Sequence, residues 1–337
     1  MKNLKNGVFA LLLALFASLA AASAPEKRLI VDTAFVADAI KRGALLWDVR
    51  DAESYRKGHI PGALNIGGIG SALRFDHSED YLPIAQIEKI LGDAGIDPTR
   101  EIVVYGDKAD PYVYFGLYTA QYFGGNNAHV YHGGIDDWKA ARKEIGNEAP
   151  KHAPLALKLK SRPELTVITE EMVGKLGASV QIVDTRSPKE FSGEDIRAIR
   201  GGHIPGAINI PFQKNWIDPD TTAKLAKREV ANKDGMGLKS SEQLKALYAK
   251  LDPDKETIVY CQSGVRAAES AAVLKDLGFK DVKVYDASWL GYANALSTPV
   301  ENATVFNVGQ MNGKLDAMQR RLEAMDRVLG ELMKAMK

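Results

Sequence analysis

One side chain in this 337-residue sequence can act as a sulfur nucleophile: Cys261 is its only cysteine. It stands in the run IVYCQSGVRAAES, where an apolar, β-branched strand pattern stops and, after Arg266, a helical one starts. Successive backbone N–H groups in a tight loop that opens into a helix N-terminus form a concavity for an anion. A sulfur placed there is favoured as thiolate, the reactive form. Gly264 lets the loop curl without steric cost, and Arg266 adds a permanent positive charge with a planar fork of donors. Cys261 is therefore the candidate catalytic residue, and Gln262, Ser263, Gly264, Val265 and Arg266 its candidate substrate-binding loop. A lone cysteine permits neither an intramolecular disulfide nor a cysteine-based zinc site.

The elements that must hold this loop occur twice. LLWDVRDAESYRKGHIPGALNI (residues 45–66) is matched by QIVDTRSPKEFSGEDIRAIRGGHIPGAINI (residues 181–210). Asp48 aligns with Asp184, Arg50 with Arg186, Tyr55 with Phe191 and His59 with His203, and the second copy carries an eight-residue insert. EIVVYGDKA (101–109) matches TIVYCQSGV (257–265), and AHVYHGGIDDW (128–138) matches VKVYDASWLGY (282–292). Short apolar runs at 45–49, 102–105, 129–131, 180–184, 257–260 and 282–285 read as buried strands. Between them, RAAESAAVLKDLGF closes on Gly278 as a helix does, and PYVYFGLYTAQYFGG begins with Pro111 in its first turn and ends at Gly124. Strand–helix–strand alternation predicts an α/β fold: two domains, each a mainly parallel sheet flanked by helices. The boundaries fall at 28–145 and 166–298, joined by a proline- and lysine-containing linker, 146–165.

The order D-x-R, HIPGA-x-NI, strand–Cys–loop–helix and VYD-x-SW resembles the rhodanese, or sulfurtransferase, family in its tandem two-domain form, over roughly residues 28–298. The resemblance implies a catalytic second domain and a degenerate first one, and Gly106 does stand where Cys261 has its counterpart. It implies a two-step transfer of a sulfane sulfur from thiosulfate through a Cys261 persulfide to cyanide or a thiol, with no metal or organic cofactor. Related phosphatases of the same fold have five residues between cysteine and arginine; the four here suit one sulfur atom rather than a phosphate. Asp184 and Arg186 fit an ion pair ordering the loop, with Arg186 also a candidate for substrate binding, or plain fold maintenance. For the donor, CQSGVRA shares Ser263, Gly264 and Val265 with the C-G-S-G-V-T loop of mercaptopyruvate enzymes, but Glu190 would repel a substrate carboxylate unless Arg197 or Arg200 offsets it. Thiosulfate is the preferred reading. The alternatives are 3-mercaptopyruvate or polysulfide as donor, or a non-catalytic sulfur-carrier or scaffold module.

The two ends of the chain add further expectations. MKNLKNGVFALLLALFASLAAASA (1–24) has the basic start, apolar stretch and small residues of a secretory signal peptide. It implies a periplasmic location and, after cleavage, no stable membrane span. The tail, 305–337, carries Met311, Leu315, Met318, Leu322, Met325, Leu329, Leu332 and Met336 at alternating spacings of four and three. That is a coiled-coil seam for self-association or for a partner helix. Composition is that of a folded protein: 45% hydrophobic and 26% charged, with 44 basic against 43 acidic residues. So balanced a charge argues against a nucleic-acid partner. His59 and His203 read as loop-shaping residues rather than chemical ones. His129 and His132 lack further ligands for a metal, and Ser288 and Trp289 read as packing.

Overall fold

The computed structural model describes residues 28–76 and 78–335; the leader expected at 1–24 and the seam residue Met336 lie outside these. Five strands, β1 (Ile30–Val31), β2 (Leu45–Asp48), β3 (Leu64–Asn65), β4 (Ile102–Tyr105) and β5 (Ala128–Tyr131), form the first sheet in the order β1-β5-β4-β2-β3. Every pairing in it is parallel. The second domain repeats this with β6 (Gln181–Asp184), β8 (Ile208–Asn209), β9 (Thr257–Tyr260) and β10 (Val282–Val284), again parallel, in the order β10-β9-β6-β8. Strands buried on both faces need unbroken apolar runs, and Ile102–Tyr105 and Thr257–Tyr260 are buried at every residue.

An added piece separates the copies. The eight-residue insert lets Arg200–His203 become β7, which pairs antiparallel with β11 (Glu301–Val305), a strand the sequence reading placed beyond the domain's end. The linker is a strap rather than a free tether. Its Leu155 and Arg162 amides donate to the Gly92 and Tyr122 carbonyls, and Leu159 is buried.

The two domains share one core. The helices Pro111–Tyr122 and Val265–Asp276 pack against each other, and residues of both sheets belong to the same apolar cluster. The tail helix, Val308–Ala335, continues from β11. Among the described residues no helix is long and apolar enough to cross a membrane.

Candidate active site

The repeated residues pin each domain in the same way. Arg186 is clamped on Asp184, with Nη2 at 2.6 Å from Oδ2, and donates to the Gly202 carbonyl at 2.8 Å. Arg50 does the same with Asp48 and the Gly58 carbonyl. Asn209 donates to the carbonyls of Asp184 and Arg186, as Asn65 does to those of Asp48 and Arg50. His203 stacks on Phe191 at 3.6 Å, and His59 on Tyr55 at 3.8 Å. Arg186 is thus 1% exposed, its Nε and Nη2 occupied and its guanidinium 4.5 Å from the Trp289 ring. The structure does not bring it to the cleft; with Asp184 it holds the fold.

The loop after β9 is built differently. Cys261 N–H and Gly264 N–H both donate to Ser288 Oγ, at 3.1 and 3.0 Å, and that hydroxyl donates to the Tyr285 carbonyl at 2.7 Å. The loop's carbonyls are also engaged. Cys261 O accepts from Trp289 N–H, Gln262 O from Leu290 N–H, Gly264 O from Ala268 N–H, and Ser263 O from Arg74 Nη1. The amides of Gln262, Ser263, Val265 and Arg266 have no acceptor among the described residues. Amides released from internal bonding at a helix N-terminus are the material of an anion cradle. Gly264 has φ +80°, and a Cβ there would lie 2.5 Å from Asp286 Oδ1, so no other residue fits.

Arg266 does not stand free. Its two terminal nitrogens grip Glu190 at 2.8 and 2.7 Å. Burial would raise the Glu190 carboxyl, but Arg266 outweighs it and brings the group down to about 2. Glu190 therefore does not confront a substrate as an unpaired charge, which removes the repulsion argued from sequence. Arg197 lies at the loop's edge, 3.4 Å from Glu190, and its carbonyl accepts from Gln262 Nε2. Arg200 is elsewhere: its guanidinium is spent on the carbonyls of Tyr292, Ala293, Ala295 and Thr298.

Arg74 is the residue that sequence reasoning missed. It comes from the first domain, is 4% exposed, and donates to Asp286 Oδ1 at 2.6 Å as well as to Ser263 O at 2.9 Å. Its guanidinium lies 4.3 Å from the Phe115 ring. No repeat flags it, because it acts in the other domain. A cleft of about 400 Å³ runs from Val265 along the first domain, past Arg50, Asp51, Arg74, Phe75, Asp76, Glu79, Asp107, Asp110 and Tyr112. Cys261 itself is 1% exposed. Burial raises the Tyr112 phenol above its ordinary value, and Val265, four residues after Cys261, is the cleft's contact with the cysteine loop.

Comparison with known proteins accords with this geometry. Residues 32–141 and 169–295 each match the rhodanese-like domain. The chain belongs to the rhodanese family of sulfurtransferases. It is 32% identical over 264 residues to a thiosulfate sulfurtransferase of Corynebacterium glutamicum, covering 74% of this chain and 82% of that one. It is 31% identical over 261 residues to a thiosulfate sulfurtransferase of Azotobacter vinelandii, covering 76% and 90%. Among solved structures, the rhodanese fold is shared with the anaerobic ergothioneine biosynthesis enzyme from Chlorobium limicola in complex with trimethyl histidine. That likeness has a TM-score of 0.67 and 22% identity, over 81% of this chain and 70% of the other. In this rhodanese-family chain the first copy lacks two things at once: Gly106 replaces the cysteine, and Gly134 stands where Ser288 anchors the loop.

Proposed function

We propose that the protein transfers a sulfane sulfur from thiosulfate to cyanide or a thiol through a persulfide on Cys261. The observation that carries this is the set of four backbone amides, following a single cysteine at a helix N-terminus, that have no acceptor among the described residues. The thiolate attacks the outer sulfur of thiosulfate, and the sulfur–sulfur bond breaks with its electron pair leaving on sulfite. The terminal sulfur of the persulfide is anionic, and the amides of Gln262, Ser263, Val265 and Arg266 are free to stabilise it. An acceptor such as cyanide then takes that sulfur, forming thiocyanate, and the electron pair of the broken bond returns to Cys261. A covalent carrier of this kind gives ping-pong kinetics. The names of the relatives support thiosulfate as donor.

Intact-mass measurement tests the cycle. Thiosulfate adds one sulfur to the protein, cyanide removes it as thiocyanate, and Cys261→Ser abolishes both. A wild-type chain that gains no sulfur refutes the reading. The leader sequence supports export to a periplasm, checked by recovering the mature chain, shortened at its N-terminus, from an osmotic-shock fraction.

A further inference from the structure

The tail helix Val308–Ala335 follows β11 after two residues and runs about 42 Å at the α-helical rise. Leu315, Leu322 and Leu329 alternate along it with Met311, Met318 and Met325, and all are exposed, 38–63% each. A solitary helix in water is marginal even with good helix formers, and this one contains Gly313 and Gly330. Its stability therefore calls for a cover. We propose that the cover is a second copy of this chain, with the two tails forming a parallel two-stranded coiled coil.

Charge and size select that occupant. In the heptad set by the seam, the leucines above take the a positions and the methionines the d positions. Arg321 then falls at g and Asp326 at e, and Val328 at g and Met333 at e. A parallel pair brings each g residue to the e residue five places on in the other helix. Arg321 meets Asp326 of the second copy, and Val328 meets its Met333, so charge faces opposite charge and apolar faces apolar. Antiparallel overlap of the full seam instead sets Arg321 against Val328 and leaves Asp326 beside Gln319. Neither Arg321 nor Asp326 has a hydrogen bond or ion pair among the described residues. The exposed seam, with Val328 and Met333, offers roughly 900 Å² per helix, or about 1,800 Å² for the pair, within the range of a specific stable interface. Pairing of β11 with β7 roots each tail on its second domain, so such a dimer carries two catalytic domains at the same end of the coil.

Light scattering on the purified chain, with thiocyanate formation as a check on the fold, provides the test. The expected mass is twice that of one chain. Leu322→Asp with Leu329→Asp should give a monomer whose specific activity is unchanged, since the tail lies outside the active site. Arg321→Glu should weaken the dimer roughly tenfold, as two attractive pairs become repulsive, and adding Asp326→Arg should restore it. In a Cys261→Ser background, Met311→Cys should cross-link to itself on oxidation. A monomeric wild-type chain overturns the proposal and leaves the seam to a different protein or a membrane surface. A trimeric mass overturns the two-stranded form, and a dimer whose Met311→Cys variant does not cross-link overturns the parallel one.

Discussion

Replacing Ser288 by alanine should damage this protein more than its chemical modesty suggests. The hydroxyl is fully buried and is the sole acceptor for two amides of the cysteine loop, those of Cys261 and Gly264. Its own donor bond goes to the Tyr285 carbonyl, which keeps a second partner in the Ser288 N–H and so is not stranded. A buried donor left without an acceptor costs about 1–3 kcal/mol. Two of them put Ser288→Ala at about 2–6 kcal/mol. The loop also loses the post that fixes its curvature, and misplacing reacting atoms by an ångström can cost about a hundredfold in rate. Ser288 has φ +49°, a left-handed conformation that glycine adopts without strain. Ser288→Gly should therefore recover about 1 kcal/mol of stability relative to alanine yet none of the lost turnover. Urea unfolding followed by tryptophan fluorescence gives the first quantity, and thiocyanate formation from thiosulfate and cyanide gives the second. If both variants unfold within about 0.5 kcal/mol of the native chain and keep its kcat/KM, the hydroxyl is not the loop's anchor and the reasoning fails.

Three other outcomes follow from the same contacts. Arg74→Met strands the half-buried Asp286 and the Ser263 carbonyl, and should lower stability by about 2–4 kcal/mol while slowing sulfur loading, measured by unfolding and by mass after a timed thiosulfate pulse. Burial raises the Glu269 carboxyl from 4.5 to about 8, so the folded chain keeps a proton that the unfolded chain loses. Stability should therefore fall as pH rises between those values, by up to roughly 1.4 kcal/mol per unit. Burial holds His132 at about 4, so it acts oppositely, weakening the fold as pH falls from 6.5. Glu269→Gln retains the acceptor for Trp216 Nε1 and should flatten the decline from pH 6.5 to 8 in denaturant curves. Finally, the cleft is lined by five carboxylates, while Arg50 and Arg74 are committed to Asp48 and Asp286. Asp107→Asn should lower KM for the thiosulfate dianion about two- to fivefold at low salt, with kcat unchanged and the effect fading as salt is added.

What could be read from the sequence was what repeats or alternates. The strands at 102–105 and 257–260 coincide with the observed ones because burial on both faces demands continuous apolar residues, whereas the helix read as starting after Arg266 begins two residues earlier, at Val265, so that Val265 and Arg266 lie in its first turn. The cysteine loop was legible because glycine, strand end and helix start are all local signals. Arg74 was not, since its partners lie 189 and 212 residues away and only the docking of the domains brings them together. Glu190 was misjudged for the same reason: its neutralising partner, Arg266, is 76 positions on. Ser288 could have been found. It aligns with Gly134, and a serine in a turn that its twin copy gives to glycine is a residue kept for its hydroxyl.

That alignment bears on why a copy without a nucleophile persists. Gly134 and Ser288 both have positive φ, +52° and +49°, so the turn is common property of the fold, and only the second copy places a side chain in it. The residues two places before them, His132 and Asp286, also align, and each reaches across to the other domain. His132 Nε2 bonds to the Met236 carbonyl at 2.8 Å, its Nδ1 facing the Tyr114 hydroxyl, whereas Asp286 receives Arg74. The two contacts are pseudo-symmetric in position and unequal in consequence. The neutral imidazole bond fastens the second domain's Phe212–Met236 region to the first. The Arg74 bond ends on the loop that carries Cys261, because Arg74 grips Ser263 with the same guanidinium. A free second domain would keep Ser288 and lose Arg74, leaving the Asp286 carboxylate without its counter-charge directly against Gly264. The first domain is therefore not a spent duplicate: it supplies the guanidinium that ties Asp286 to the Ser263 carbonyl of the Cys261 loop.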